Sequence, residues 1–311
     1  MKKFLLYLLF LILGVSVLDV VNRVFMNAAY AHLPDDSELK RNGRYVSSCD
    51  AELLVLGASR GVYDYNTVMM ADSLNLTCQS IAMEGMSVIS QYISVKNAVS
   101  GGNTRTIIYD LSQVQLSDDW VLNQMSRYYP YYWANEDVRE FVDEQQGKKM
   151  KCLLLSSFVQ YNSVLFDVLY TGYVRKTADN HGYIPLPYTG VKFVQDPEDH
   201  SSDSLVLNPV GEHYLQRIVD LCKANGIRLI LCDSPRIMCK NQSFDDYLQN
   251  VADRNGIEFW NYSDYKPILS DMRYFVDPVH INNKGAEIFT RAIIGRLRGT
   301  GTESGNQGCS L

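Results

Sequence analysis

An α/β fold, with a parallel sheet between two layers of helices, is what this sequence predicts, on three observations. Short apolar runs alternate with longer segments of helical spacing, and such alternation implies a parallel sheet covered on both faces. The runs are apolar at successive positions, as strands buried on both sides are. The helical segments close on glycine-containing stops, Gly101-Gly102, Asn225-Gly226 and Asn255-Gly256, the usual punctuation of helix ends. The expected architecture is a three-layer flavodoxin-like sandwich with a helical and loop insertion after strand three and an N-terminal transmembrane helix.

The N-terminus sets the compartment. Lys2 and Lys3 precede an apolar run from Phe4 to Leu18, broken only by Gly14 and Ser16 and ended by Asp19. A positive flank followed by an apolar core is the pattern of a secretory signal or signal anchor. The run is short against the roughly 20 residues of a full span. Ala29-Tyr30-Ala31 has the composition of a signal-peptidase site but lies about ten residues beyond the apolar run, far for cleavage. Residues 1–22 are therefore expected to be an uncleaved single-pass anchor in the cell membrane. The positive-inside rule then puts the rest of the chain on the extracytoplasmic side, periplasmic or outer. Residues 23–48 read as a linker, 49–298 as the main domain and the Gly-rich polar tail 299–311 as disordered.

Along the domain, Glu52–Leu56 reads as a first strand ending at Gly57, followed by a helix over Val62–Ser73. Thr77–Met83 is a second strand ending at Glu84-Gly85, Val88–Val99 a helix, and Thr106–Leu111 a third strand. The regular alternation then stops. An insertion, about 113–205 and not a separate domain, holds helical segments near Glu136–Glu144 and Cys152–Leu169, the aromatic cluster Tyr128–Trp133, and a Gly- and Pro-rich loop at His181–Pro187. The cluster reads first as a plug under the insertion, with sugar stacking or a membrane interface as alternatives. Alternation resumes with a helix over Gly211–Ala224, a strand Ile227–Cys232, a helix Phe244–Arg254, a strand Ile257–Trp260 and a last helix Lys284–Leu297.

Composition excludes some classes. The formal net charge of −6 argues against a nucleic-acid partner, which needs a basic face. Seven cysteines without any C-x-x-C spacing give no support for structural zinc. Cys78, Cys222 and Cys232 lie in apolar stretches and read as buried small hydrophobes, while Cys49 and Cys239 are candidates to pair in an oxidising compartment.

Ligand sites in parallel sheets lie at the carboxyl ends of the strands, and Ser59, Gly85 and Ser112 stand just past predicted strand ends. Ser59, in Gly57-Ala58-Ser59-Arg60, opens a helix, where its N–H can help hold an oxyanion. Such a serine is, taken alone, more often a helix N-cap. Near the C-terminus, Asp277-Pro278-Val279-His280 precedes the last helix. Its three-residue offset lets the carboxylate orient the imidazole, leaving the other ring nitrogen to take a serine proton. A rival reading, a short-chain dehydrogenase with Tyr92-x-x-x-Lys96, fails on spacing: Tyr63 stands where the third fingerprint glycine belongs, and the tyrosine–lysine pair comes too early.

The blocks LVLGASRG (Leu54–Gly61) and FVDPVHINNKGAEIF (Phe275–Phe289) resemble those of the SGNH (GDSL-like) hydrolase superfamily. The Gly-x-Ser-Arg form is similar to membrane-anchored relatives in polysaccharide O-acetylation and teichoic-acid D-alanylation systems. The resemblance implies a Ser59–His280–Asp277 triad and an oxyanion hole from the Ser59 and Gly85 amides plus a donor after strand three. The superfamily has an asparagine there; this chain has Ser112-Gln113, so Ser112, or else Gln113, is the candidate substitute, the bland alternative being that either simply begins a loop. Arg60 and Arg236, on the same rim, are the candidates to bind an anionic substrate; each taken singly reads more simply as structural, Arg60 by pairing with a domain carboxylate. The implied function is an esterase or acyltransferase on O-acyl, chiefly acetyl, groups of a cell-envelope glycan, needing no metal or organic cofactor. A membrane-bound O-acyltransferase is the expected partner. A non-catalytic accessory role is the alternative.

Overall fold

The computed structural model describes residues 2–33, 39, 49–117, 125–162, 164–173, 180–187, 205–238 and 241–299. In chain order the helices and strands are α1 (Lys2–Ala31), β1 (Leu53–Leu56), α2 (Ser59–Tyr63), α3 (Thr67–Leu74), β2 (Cys78–Ser80), α4 (Val88–Ser100), β3 (Thr106–Asp110), α5 (Glu136–Leu153), α6 (Ser157–Tyr161), α7 (Leu165–Tyr173), α8 (Pro209–Ala224), β4 (Arg228–Asp233), α9 (Gln242–Asn255), β5 (Glu258–Asn261), α10 (Lys266–Leu269) and α11 (Asn283–Leu297). The chain divides into two compact units, Met1–Ser47 with Met125–Asp179, and Ser48–Gln124 with Asn180–Leu311.

The second unit is the α/β sandwich. Its five strands are all parallel, in the order β2-β1-β3-β4-β5, the flavodoxin-like order whose switch point lies beside β1. Leu53 pairs with Cys78 on one side and Thr106 on the other. Side chains alternate across the sheet. Leu53, Val55, Ile108, Ile230, Cys232 and Trp260 join Met70, Phe289 and Ile293 in one core under α3 and α11. The intervening residues Leu54, Leu56, Ile107, Tyr109, Leu229 and Leu231 are equally buried and face the other layer; the Tyr109 hydroxyl bonds Gln91 on α4. Burial on both sides explains why the strands read as unbroken apolar runs. Tyr92, the rival reading's catalytic tyrosine, is held between α4 and α8 by Arg217 and Tyr214.

The expected helix over Val62–Ser73 is two helices, α2 and α3, broken at Asp64-Tyr65-Asn66, because Asn66 caps α3 by accepting from the Met69 N–H. The expected second strand is shorter, and its edge is completed by the Gly- and Pro-rich loop: Ser80 N–H donates to the His181 carbonyl. That loop belongs to the α/β unit and not with the helices before it.

The first unit joins the N-terminal helix to most of the expected insertion. α1 continues through Ala31, so no linker begins at residue 23. The second half of α1 packs on α6 and α7 through Met26, Ala29, Leu33, Tyr161, Val164 and Val168. α5 is interrupted at Gly147, whose φ of 69° and ψ of −177° are not helical. Of the aromatic cluster, Tyr128 and Tyr132 are buried, with Tyr132 bonded to Asp143 and Trp133 to the Leu154 carbonyl, as a plug would be. Cys49, Cys78, Cys222 and Cys232 are buried and Cys152 is exposed; Cys239, the candidate partner of Cys49, and the tail beyond Gly299 lie outside the described residues.

Candidate active site

The turn after β1 is shaped by two glycines. At Gly57 φ is +155°, and a Cβ would stand 2.9 Å from the Asp110 carbonyl oxygen. At Gly61 a Cβ would stand 2.7 Å from the Cβ of Ala82. Real contacts do not come so close, so α2 lies against the ends of β2 and β3 only because both residues lack a side chain. Ser59 is the first residue of α2; its N-cap is Ala58, which makes no side-chain bond. The capping role that a serine here would otherwise have is thus not used, and the Ser59 hydroxyl faces His280 at 2.7 Å from Nε2.

His280 is held by a loop closed at both ends. Phe275 and Ile281 form an antiparallel bridge, and the Val276 N–H donates to the His280 carbonyl at 3.0 Å. Within it, Asp277 Oδ1 accepts the N–H groups of Val279 and His280, both at 2.9 Å. Asp277 Oδ2 is left to meet His280 Nδ1 at 2.7 Å. Burial alone would raise the Asp277 pKa; the bond to the His280 ring and the two backbone donors outweigh it and hold the carboxyl below its ordinary value. Asn282 then caps α11 by accepting from Lys284 and Gly285. Gly285 lets α11 approach the Tyr274 carbonyl, where a Cβ would be 2.9 Å away. Asn282 and Gly285 therefore fix the start of α11 directly after the histidine.

Arg60 and Arg236 do not reach the rim. Arg60 spans the ends of β3 and β4, with Asp233 Oδ1 at 2.7 Å, Asp110 Oδ1 at 2.9 Å and the Leu111 carbonyl at 2.9 Å. Arg236 pairs with the same Asp233. Both guanidinium groups are buried, so the substrate-binding expectation is corrected in favour of the structural alternative: they neutralise the carboxylates at the ends of β3 and β4. Asp64 completes this network, accepting from the Ser234 hydroxyl at 2.8 Å and the Ile281 N–H at 3.4 Å. Burial, reinforced by Asp110, pushes Asp64 well above the usual carboxylate range against the pull of Arg60. Asp64 therefore ties the segment after α2 to the residue following His280.

Gly85, at φ +66°, and Ser112, half-buried, both stand just past their strands, β2 and β3. Ser112 Oγ accepts from Gln115 Nε2 at 3.2 Å, which leaves its proton to donate elsewhere. The Gln113 amide is engaged at both ends, with Asn241 at 2.7 Å and the Val206 carbonyl at 3.3 Å. Two neighbours of the histidine escaped the sequence reading. The Tyr63 ring meets His280 edge-on at 5.4 Å between centroids, and its hydroxyl bonds Glu84. Only their places, at the end of α2 and beside Gly85, point to them. Among the described residues, no group of three or more His, Cys, Asp or Glu is arranged to hold a metal ion.

The fold and site together define an α/β protein with a Ser–His–Asp hydrogen-bonded chain on the carboxyl rim of a parallel sheet. A family model matches residues 202–298, the stretch containing Asp277 and His280. Among solved structures, the chain is similar to a Bacteroides fragilis protein assigned as an acylhydrolase, at 14% identity and TM-score 0.39 over 84% of this chain and 94% of that one. It is also similar to a GDSL-like lipase from Bacteroides thetaiotaomicron, at 12% identity and TM-score 0.39 over 80% and 88%. A third likeness, to a gut microbial diltiazem-metabolizing enzyme, has 11% identity and TM-score 0.39 over 81% of this chain and 47% of that one. No curated protein sequence matches the chain.

Proposed function

We propose that this protein is a serine esterase or O-acyltransferase of the SGNH type, held in the cell membrane by α1 with its α/β unit on the extracytoplasmic side. The observation that carries the reading is the hydrogen-bonded chain from Ser59 Oγ through His280 to Asp277, 2.7 Å at each link. Ser59 Oγ attacks the acyl carbonyl while His280 Nε2 takes the hydroxyl proton, and Asp277 stabilises the imidazolium. The proton then passes to the departing alcohol, leaving an acyl-serine. Water, or a sugar hydroxyl, gives its proton to the same nitrogen as it attacks; Ser59 is restored and the product is the free acid or the transferred ester. The amides of Ser59 and Gly85 and the Ser112 hydroxyl serve as oxyanion donors, each worth on the order of 10²-fold in rate or more.

The substrate we infer is an O-acylated, chiefly O-acetylated, cell-envelope polysaccharide. Ser59 and His280 are both partly exposed on the rim, which suits a polymeric acyl donor. The cavity of about 490 Å³ lined by Asn66, Met69, Asn180 and Tyr183 includes neither of them. Lys2 and Lys3 on the cytoplasmic side would orient α1. A second reading, an accessory subunit to a membrane-bound O-acyltransferase, is favoured by one feature: the Gln113 amide is tied away, leaving Ser112 as the third donor.

Turnover of p-nitrophenyl acetate and of acetylated glycans by the full chain, beside Ser59→Ala, tests the proposal. Ester cleavage lost in the variant, with an unchanged melting curve, is the expected result. Equal rates in the two proteins would refute Ser59 as nucleophile.

A further inference from the structure

The first unit presents a surface that ester chemistry does not use. From Phe4 to Val21 the apolar side chains of α1 are exposed on every face, and the helix is long and apolar enough to cross a membrane. At 1.5 Å per residue, Lys2 to Arg23 measures about 32 Å, against a hydrocarbon core of roughly 30 Å. Charges therefore bracket the span.

The grip of α6 begins where that span ends. Asp19 Oδ1 accepts from the Ser157 N–H at 2.7 Å and the Ser156 hydroxyl at 2.8 Å, so the one carboxylate inside the span is satisfied. Arg23 donates to the Leu155 carbonyl at 2.7 Å and to Gln160 at 3.0 Å. Residues 155–158 thus lie beside Asp19 and Arg23, at the depth where the helix leaves the hydrocarbon.

Leu155 and Phe158 at this point, and Phe166 and Tyr170 on α7, which packs on the next turns of α1, are each more than half exposed. Phe166 and Tyr170 lie one turn apart on α7, while Val168 on the opposite face is buried against α1. Just before Leu155, Lys148, Lys149 and Lys151 are all exposed. The break at Gly147 separates this basic end of α5 from its acidic first half, which holds Glu136, Asp137, Glu140, Asp143 and Glu144. Exposed apolar side chains flanked by lysines fit an anionic lipid interface.

We propose that this face of the first unit lies in the headgroup layer of the membrane that holds α1. Leu155, Phe158, Phe166 and Tyr170 enter the interface, and the three lysines meet anionic headgroups. The inference rests on reading α1 as an anchor, so its test includes a position in α1.

The full chain, with Cys152, Cys239 and Cys309 changed to serine, is reconstituted in phosphatidylcholine–phosphatidylglycerol vesicles. A polarity-sensitive nitrobenzoxadiazole label is carried on Phe166→Cys or Leu13→Cys, and the lipids carry nitroxides at shallow or deep positions. The expected result is deep quenching at position 13 and shallow quenching at 166. The K148E/K149E/K151E variant should lower quenching at 166 severalfold and leave position 13 unchanged. A label at 166 that stays in water while position 13 is quenched overturns the proposal and leaves the anchor standing. A blue-shifted label at 166 without nitroxide quenching assigns the face to a second copy of the chain and also overturns it. An unquenched position 13 refutes the anchor, and the proposal with it.

Discussion

Replacing Asp277 by asparagine separates what this side chain does for the loop from what it does for the histidine. Its Oδ1 holds two backbone N–H groups at 2.9 Å, and an asparagine carbonyl accepts both equally well. Its Oδ2 accepts from His280 Nδ1 at 2.7 Å; there the variant carries an NH₂ group, which only donates. Nδ1 must then accept, the ring proton moves to Nε2, and Nε2 can no longer take the proton of Ser59. In Ser–His–Asp enzymes the same exchange lowers kcat by about 10⁴. The Asp277 side chain is 44% exposed, so water already screens part of its charge. The tautomer penalty is not screened, and the expected loss is on the order of 10³, or about 4 kcal/mol of transition-state stabilisation. Stability should scarcely change in D277N, whereas Asp277→Ala loses both backbone bonds, at about 1 kcal/mol each, and should melt earlier. Ester turnover and circular-dichroism melting of the full chain measure both. A D277N rate within tenfold of the parent, with Ser59→Ala inactive, would refute the assigned role.

Other outcomes follow from the buried network and from α1. Arg60→Met leaves Asp110 and Asp233 buried without their shared guanidinium and should cost about 3–5 kcal/mol in urea unfolding; a loss below 1 kcal/mol would count against the network. Asp64 has its folded-state value raised, so its contribution to stability is full below about pH 4 and is lost as pH rises through the folded value. Asp64→Asn removes that dependence, and its unfolding free energy should gain on the parent's as pH rises above 4, by at most ~1.4 kcal/mol per pH unit; a constant difference would contradict a raised Asp64. Deleting residues 2–18 should leave the first unit resistant to protease. Deleting 2–31 removes Met26 and Ala29 from its core and should expose Tyr161 and Val164 to cleavage; equal resistance would show that α1 is dispensable to that core.

The α/β layers were legible because each buried strand is a continuous apolar run and α4, α8 and α9 have readable stops: Asn255-Gly256, for instance, closes α9 with Gly256 left-handed at φ +63°. Asp277 and His280 were legible because a three-residue spacing sets their geometry, and Ser59 because it opens the helix at the glycine turn after the first apolar run. What escaped depends on partners distant in sequence. For Arg60 the sequence left substrate binding and carboxylate pairing both open, because nothing local reveals that Asp110 and Asp233 converge on it, although an acidic residue ending an apolar strand, as in TIIYD and RLILCD, is a signal that could have been used. The joining of residues 125–179 to α1 was hidden for the same reason: Asn22 and Ser157, which bond at 2.9 Å, are 135 positions apart.

That separation sets a clock for biogenesis. With synthesis at roughly 5–20 residues per second, the tail of α1 emerges about 7–27 seconds before the segment that covers it. During the interval Met26, Ala29 and Leu33 stand uncovered; they are buried only once Tyr161, Val164 and Val168 have been made. Closure of this core therefore waits on elongation, and slowing translation between residues 32 and 168 should prolong the protease sensitivity of the tail of α1.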